Sequence, residues 1–172
     1  MLKEKILAIE NLNYLFKISM LVGIVAIAPI FFSQPITGSL VNMALFLSAW
    51  FFGIRKESSF IAFVPSLIAF LQGQLPFIMA PMIPFIILGN IILMGSFLLL
   101  IKKSGNYLTA IISAGFIKFL FLFASSQFLL HFVLKNAVAE KFAIMMNWPQ
   151  FLTALLGGIM FYLIVNFYKK VS

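Results

Sequence analysis

The chain has no cysteine, one histidine and only four acidic residues, all of them glutamate, among its 172 residues. Without thiolates there is no iron–sulfur cluster held by cysteine, no cysteine-type structural zinc and no disulfide. The histidine and the glutamates fall near the ends of apolar runs or between them, too scattered to form a dedicated metal site. Catalytic signatures are missing as well. There is no HExxH, no GxSxG, no phosphate-cradling glycine loop and no carboxylate inside an apolar run. The chain therefore reads as a non-enzyme with no cofactor of its own. Charge of either sign is scarce, at 9% of residues, and none occurs between Glu57 and Lys102.

Apolar residues fill that space. The composition is 63% hydrophobic and 16% aromatic, with a mean hydropathy of +1.14. A soluble domain has about half its residues apolar and roughly a quarter charged. The expected class is all-α, an integral membrane bundle forming one domain over residues 1–172. Length allows about six spans of ~20 residues with short connections. They are read at Leu15–Ser33, Ile36–Ile54, Ser58–Leu71, Pro84–Ile101, Tyr107–Leu134 and Trp148–Tyr168. Short interfacial helices are expected at 1–14 and 136–146. Ala26-Ile27-Ala28 imitates a signal-peptide cleavage site, but Pro29 and the apolar run continuing to Phe32 favour a retained first span.

The net charge of +8 is a matter of topology. Nine cations (Lys3, Lys5, Lys17, Arg55, Lys56, Lys102, Lys103, Lys169, Lys170) lie at one set of alternate connections and two (Lys135, Lys141) at the other. That bias predicts both termini on the cytoplasmic side of a cell membrane. It also removes the case for a nucleic-acid partner.

The segment Val64–Asn90 breaks the apolar monotony. It holds four of the seven prolines, Pro65, Pro76, Pro81 and Pro84, with the amides Gln72, Gln74 and Asn90. Span three is short and interrupted by Pro65, and residues 72–83 read as a roof at the outer surface. Broken helices and freed backbone are frequent at transporter sites. An ordinary extracellular loop between kinked helices is the plainer reading.

Lys118 is the most costly residue, near mid-depth of span five, where insertion of lysine costs roughly 2.5–3.5 kcal/mol. Three roles are open: a counter-charge for an anionic ligand, a structural tie to the bundle, or contact with a membrane partner through the stripe Ala110-xxx-Ala114-xxx-Lys118. Replacement by methionine is expected to weaken ligand retention and leave folding intact. The amides Asn42, Gln72, Gln74, Gln127, Asn147 and Gln150 map to the outer half, with Asn90 a little deeper. With Trp148 and the phenylalanines they would make an apolar pocket with a few oriented polar groups. Interhelical hydrogen bonding is the simpler role for each, above all for Asn90, whose neighbour Gly89 permits close packing. Candidate ligand contacts are Asn42, Gln72, Gln74, Asn90, Lys118, Gln127 and Trp148. Met79, Met82, Met145 and Met146 read as filler, and Ala154-xxx-Gly158 with Gly157 as a packing motif.

Small size, six spans, both ends inside, an outward-half pocket and no ATP motif resemble the S components of energy-coupling factor transporters. More narrowly, TGSLVN (37–42), PSLIAFLQGQLPFIMAPMIPFIILGN (65–90), SAGFIKFLF (113–121) and MMNWPQFLTALLGG (145–158) look like a group of small bacterial membrane proteins sometimes labelled "iron hydrogenase". The absence of cysteine rules that label out for a thiolate-bound cluster. The S-component resemblance implies a subunit that captures a vitamin-like micronutrient and docks on a transmembrane T subunit carrying two ATPases. S components commonly meet that subunit through an AxxxA stripe on the first span. Here Ala26 is followed four residues later by Ile30, so Ser19-xxx-Gly23, or Ala110 and Ala114, would have to stand in. The rival expectation is a non-transporting membrane accessory or assembly protein with no small ligand.

Overall fold

The structure is a computed structural model that describes residues 2–73, 77–132, 144 and 146–171. Six α-helices account for nearly all of it: α1 Leu2–Phe31, α2 Gln34–Phe52, α3 Lys56–Leu71, α4 Ile83–Ser104, α5 Tyr107–Phe132 and α6 Trp148–Val171. A 3₁₀ turn, Phe77–Met82, precedes α4. No strand occurs among the described residues. Five of the helices (all but α3) contain a stretch long and apolar enough to cross a membrane. The sixteen residues of α3 reach about 24 Å at 1.5 Å per residue, short of a hydrocarbon core of about 30 Å.

The helix starts and stops follow local chemistry. Pro35 sits in the first turn of α2 and Pro84 in the first turn of α4, where a missing N–H leaves no bond unmade. Gly53 and Gly105 close α2 and α4 at φ +68° and +67°, backbone that a side chain disfavours. Asn106 starts α5 by accepting from the backbone N–H of Leu108 at 2.9 Å.

One feature differs from the sequence reading. Residues 2–14 do not form a separate interfacial helix, because α1 runs unbroken from Leu2 to Phe31. No proline, glycine or capping motif interrupts it near residue 14, and helical hydrogen bonding simply continues. Tyr14 nevertheless marks a boundary: its ring meets Phe52 edge-on at 5.3 Å, level with the α2–α3 connection. A hydrogen bond from Tyr14 also holds the half-buried Glu57 carboxyl below its ordinary range. Pro29 sits inside α1 near its end, within the stretch that the sequence reads as a retained first span. The interfacial helix expected at 136–146 lies outside the described residues save for 144 and 146.

The bundle has a filled end and an open end. Phe46 of α2, Phe97 of α4 and Phe161 of α6 are fully buried against one another at 5.1–5.7 Å, and Tyr107 of α5 joins at 6.0 Å. The cations surround this end. Lys17 lies over Phe51 at 4.7 Å and Lys169 over Tyr107 at 4.6 Å. Glycines on α6 bring the helices close. A Cβ on Gly157 would stand 2.5 Å from the Ser39 carbonyl oxygen and 2.7 Å from the Met43 nitrogen, so α2 and α6 touch backbone to backbone. Between α4 and α5, Gly89 instead faces a side chain, that of Leu122, which a Cβ there would approach within 3.0 Å.

Candidate functional site

At the end away from the cations the bundle encloses a cavity of about 450 Å³, within the range of roughly 300–1,000 Å³ usual for small-molecule sites. Its walls follow helical periodicity. Gln34, Gly38, Val41 and Asn42 form one stripe of α2, Pro65, Ser66 and Ala69 come from α3, and Ile86 and Asn90 from α4. Lys118 represents α5, while Met146, Pro149, Gln150 and Thr153 mark the start of α6.

Lys118 is buried, at 3% exposure, and its ammonium does not snorkel. It donates to Asn42 Oδ1 at 2.7 Å and to Asn90 Oδ1 at 2.8 Å. Each amide is anchored by its nitrogen on a further helix. Asn42 Nδ2 donates to Thr153 Oγ1 at 3.3 Å, and Asn90 Nδ2 to the Ala62 carbonyl at 2.9 Å. Thr153 in turn donates to the Gln150 carbonyl at 3.1 Å. One network thus crosses α2, α3, α4, α5 and α6 at the level where the cavity meets the aromatic core. An ammonium has three donors, and the two amides engage two of them. No carboxylate lines the cavity among the described residues, so the positive charge has dipoles around it and no counter-ion.

Of the seven sequence candidates for ligand contact, the fold brings three together at the cavity: Asn42, Asn90 and Lys118. Three others lie elsewhere, for reasons of helical phase. Gln127 is exposed, nine residues from Lys118 and hence roughly 180° around α5. Trp148 is 60% exposed and stacked on Phe119 with ring centres 5.2 Å apart, outside the cavity wall. Gln72 is exposed just past the end of α3. Gln74 lies outside the described residues. The amides were grouped by depth in the membrane, and depth says nothing of which side of a helix a residue occupies.

The proposed partner stripe also changes. Ala110 and Ala114 are fully buried in the core, on the same α5 face as Lys118, so they pack helices of this chain and offer no surface to another. Ser19 is exposed and Gly23 half-buried, with open space where a Gly23 side chain would stand. Replacement of Lys118 is not harmless to folding, since it would strand two buried amide oxygens, at about 1–3 kcal/mol each.

Thr153 and Ser66 escaped the sequence reading. Thr153 could have been found by following the α6 face from Gln150 through Thr153 to Gly157. Its neighbour across the interface, Gly38, leaves room for it, since a Cβ there would come within 3.1 Å of its methyl. Ser66 carried no sequence signal; its importance depends on what Asn90 does to the carbonyl one turn before it. No family model, curated protein or solved structure matches this chain.

Proposed function

We propose that this protein is the substrate-binding membrane subunit of a transporter of the energy-coupling factor type, capturing a small micronutrient-like molecule. The observation that carries the reading is a buried lysine, without a counter-ion among the described residues, at the floor of a ligand-sized cavity. Intramembrane charge is costly and marks ligand or ion sites by default. With the cationic end on the cytoplasmic side, the cavity lies toward the exterior and the Phe46–Phe97–Phe161 layer closes it below. This orientation suits capture from outside. The chain contains no nucleotide-binding motif, so energy would come from partners, a T subunit and ATPases.

Native mass spectrometry of the gently purified protein tests the binding role. A retained small molecule, lost when Asn42 and Lys118 are replaced together, is the expected result. Co-purification with a T subunit and ATPases is expected for the transport role.

A second reading has an observation of its own. The hydrogen bonds joining Lys118, Asn42, Asn90, Thr153 and Ala62 are what a purely structural tie would look like. A membrane accessory protein would use them to hold its helices together. Isolation with a membrane enzyme and no small molecule would favour that role.

A further inference from the structure

Serines in these helices share a habit. Ser39, Ser59, Ser96, Ser104 and Ser125 each donate to the carbonyl four residues earlier, at 2.6–3.2 Å. Two buried serines, Ser48 and Ser66, do not: neither hydroxyl has a partner, and of the two only Ser66 lines the cavity. For Ser66 the competing donor is on α4. The carbonyl that Ser66 would use belongs to Ala62, which accepts from Asn90 Nδ2 at 2.9 Å in addition to its own helical N–H. Its two lone pairs are taken. The residue that orients Lys118 therefore also frees the hydroxyl of Ser66, one helical turn farther along the cavity wall.

Beside the second N–H of each amide, two donors have no partner: the third N–H of the Lys118 ammonium, which alone carries charge, and the Ser66 hydroxyl. The rest of the wall near them, Val41, Ala69, Ile86 and Met146, is apolar. Among the described residues, the cavity wall holds no carboxylate to balance a cationic ligand and no second cation to balance a dianion.

We infer that the cavity selects a small amphiphilic monoanion, a monocarboxylate in the simplest case, with its charged end received by Lys118 Nζ and Ser66 Oγ. The inference rests on the ligand-binding reading of the cavity and adds the chemical class of the ligand. Thr153 does not compete for the ligand's charge, because its hydroxyl already donates to the Gln150 carbonyl and accepts from Asn42 Nδ2.

The test uses the full chain in nanodiscs of zwitterionic lipid, with calorimetric titration of octanoate, 4-phenylbutyrate and indole-3-acetate, each beside its amide and its corresponding amine. At least one carboxylate is expected to bind about tenfold or more tighter than its amide, as the loss of a charge-assisted hydrogen bond implies. The amine is expected to show no heat of binding. Ser66→Ala removes a hydroxyl without a partner, so the melting temperature should stay constant while carboxylate affinity falls about tenfold. That split separates a ligand contact from a structural role. An amide binding as tightly as its carboxylate, or Ser66→Ala leaving affinity unchanged, overturns the inference but keeps the cavity as a binding site. Displacement of the carboxylate by phosphatidylglycerol would assign the donors to a lipid phosphate and overturn it too. Absence of binding by every probe, together with no molecule retained on purification, overturns both the inference and the reading beneath it.

Discussion

A lysine at mid-depth in a membrane helix has to find acceptors or reach water, and Lys118 finds two amide oxygens. Both amides spend their nitrogens elsewhere, so nothing in the arrangement is free to rotate without breaking a second bond. This coupling leads to a non-additive expectation. Lys118→Met alone should lower the melting temperature, because Asn42 and Asn90 lose their donor inside the bundle, at about 1–3 kcal/mol each. Adding Asn42→Leu and Asn90→Leu should recover much of that loss, since replacing a buried polar set with apolar groups is often neutral or stabilising. Thermal melts of the single and triple variants in the same detergent check it; a triple variant weaker than the single one by the sum of three separate losses would refute the coupling. The cost of Lys118 was legible in the sequence, and so was Asn90 as an interhelical bond. The identity of the Lys118 partners was not, since two helices separate in sequence, α2 and α4, supply them.

Among the elements, α2 and α6 approach closest, and glycine is the reason. A Cβ on Gly157 would collide with the backbone of α2, which cannot swing aside as a side chain can. Gly157→Ala should therefore destabilise by about 1–3 kcal/mol or more and, by pushing Thr153 away from Asn42, disturb the floor of the cavity. Gly23 provides the contrast. It stands in open space on α1, so Gly23→Ala should be neutral or stabilising by up to about 1 kcal/mol through helix propensity alone. Melting temperatures of the two variants decide the matter, and a Gly157→Ala protein as stable as the parent would mean that the helices are not so close. The packing role of Gly157 and Gly158 could be read from small residues at helical spacing. What could not be read is which small stripe faces inward: Ala110 and Ala114 had the same spacing as a partner face and proved to be core. Spacing puts residues on one side of a helix, and only the neighbouring helices determine what that side meets. The helix at residues 2–14 illustrates the complementary limit, where a change from charged to apolar residues marks the membrane boundary without breaking the hydrogen-bonded helix.

For the whole molecule, the consequence of an asymmetric bundle is a direction. Tyr14, Phe52, Tyr107 and Tyr168 gather with the cations at the filled end, while Gln34, Ser66, Ile86 and Met146 gather around the cavity at the other. On the proposed reading, the bias of nine cations to two would turn the filled end inward. Capture from the exterior requires that orientation, and an inverted molecule would present its cavity to the cytoplasm, where an uptake subunit has nothing to catch. The absence of cysteine makes this testable without background labelling. Ser33 and Ser104 are exposed residues in or beside short connections at opposite ends, and each tolerates replacement by cysteine on grounds of size. In intact cells, Ser33→Cys should react with a membrane-impermeant maleimide and Ser104→Cys should react only after permeabilisation. The reverse pattern would turn the cavity toward the cytoplasm and remove uptake from the possible roles, while leaving the Lys118 network, and the monoanion site built on it, as they are.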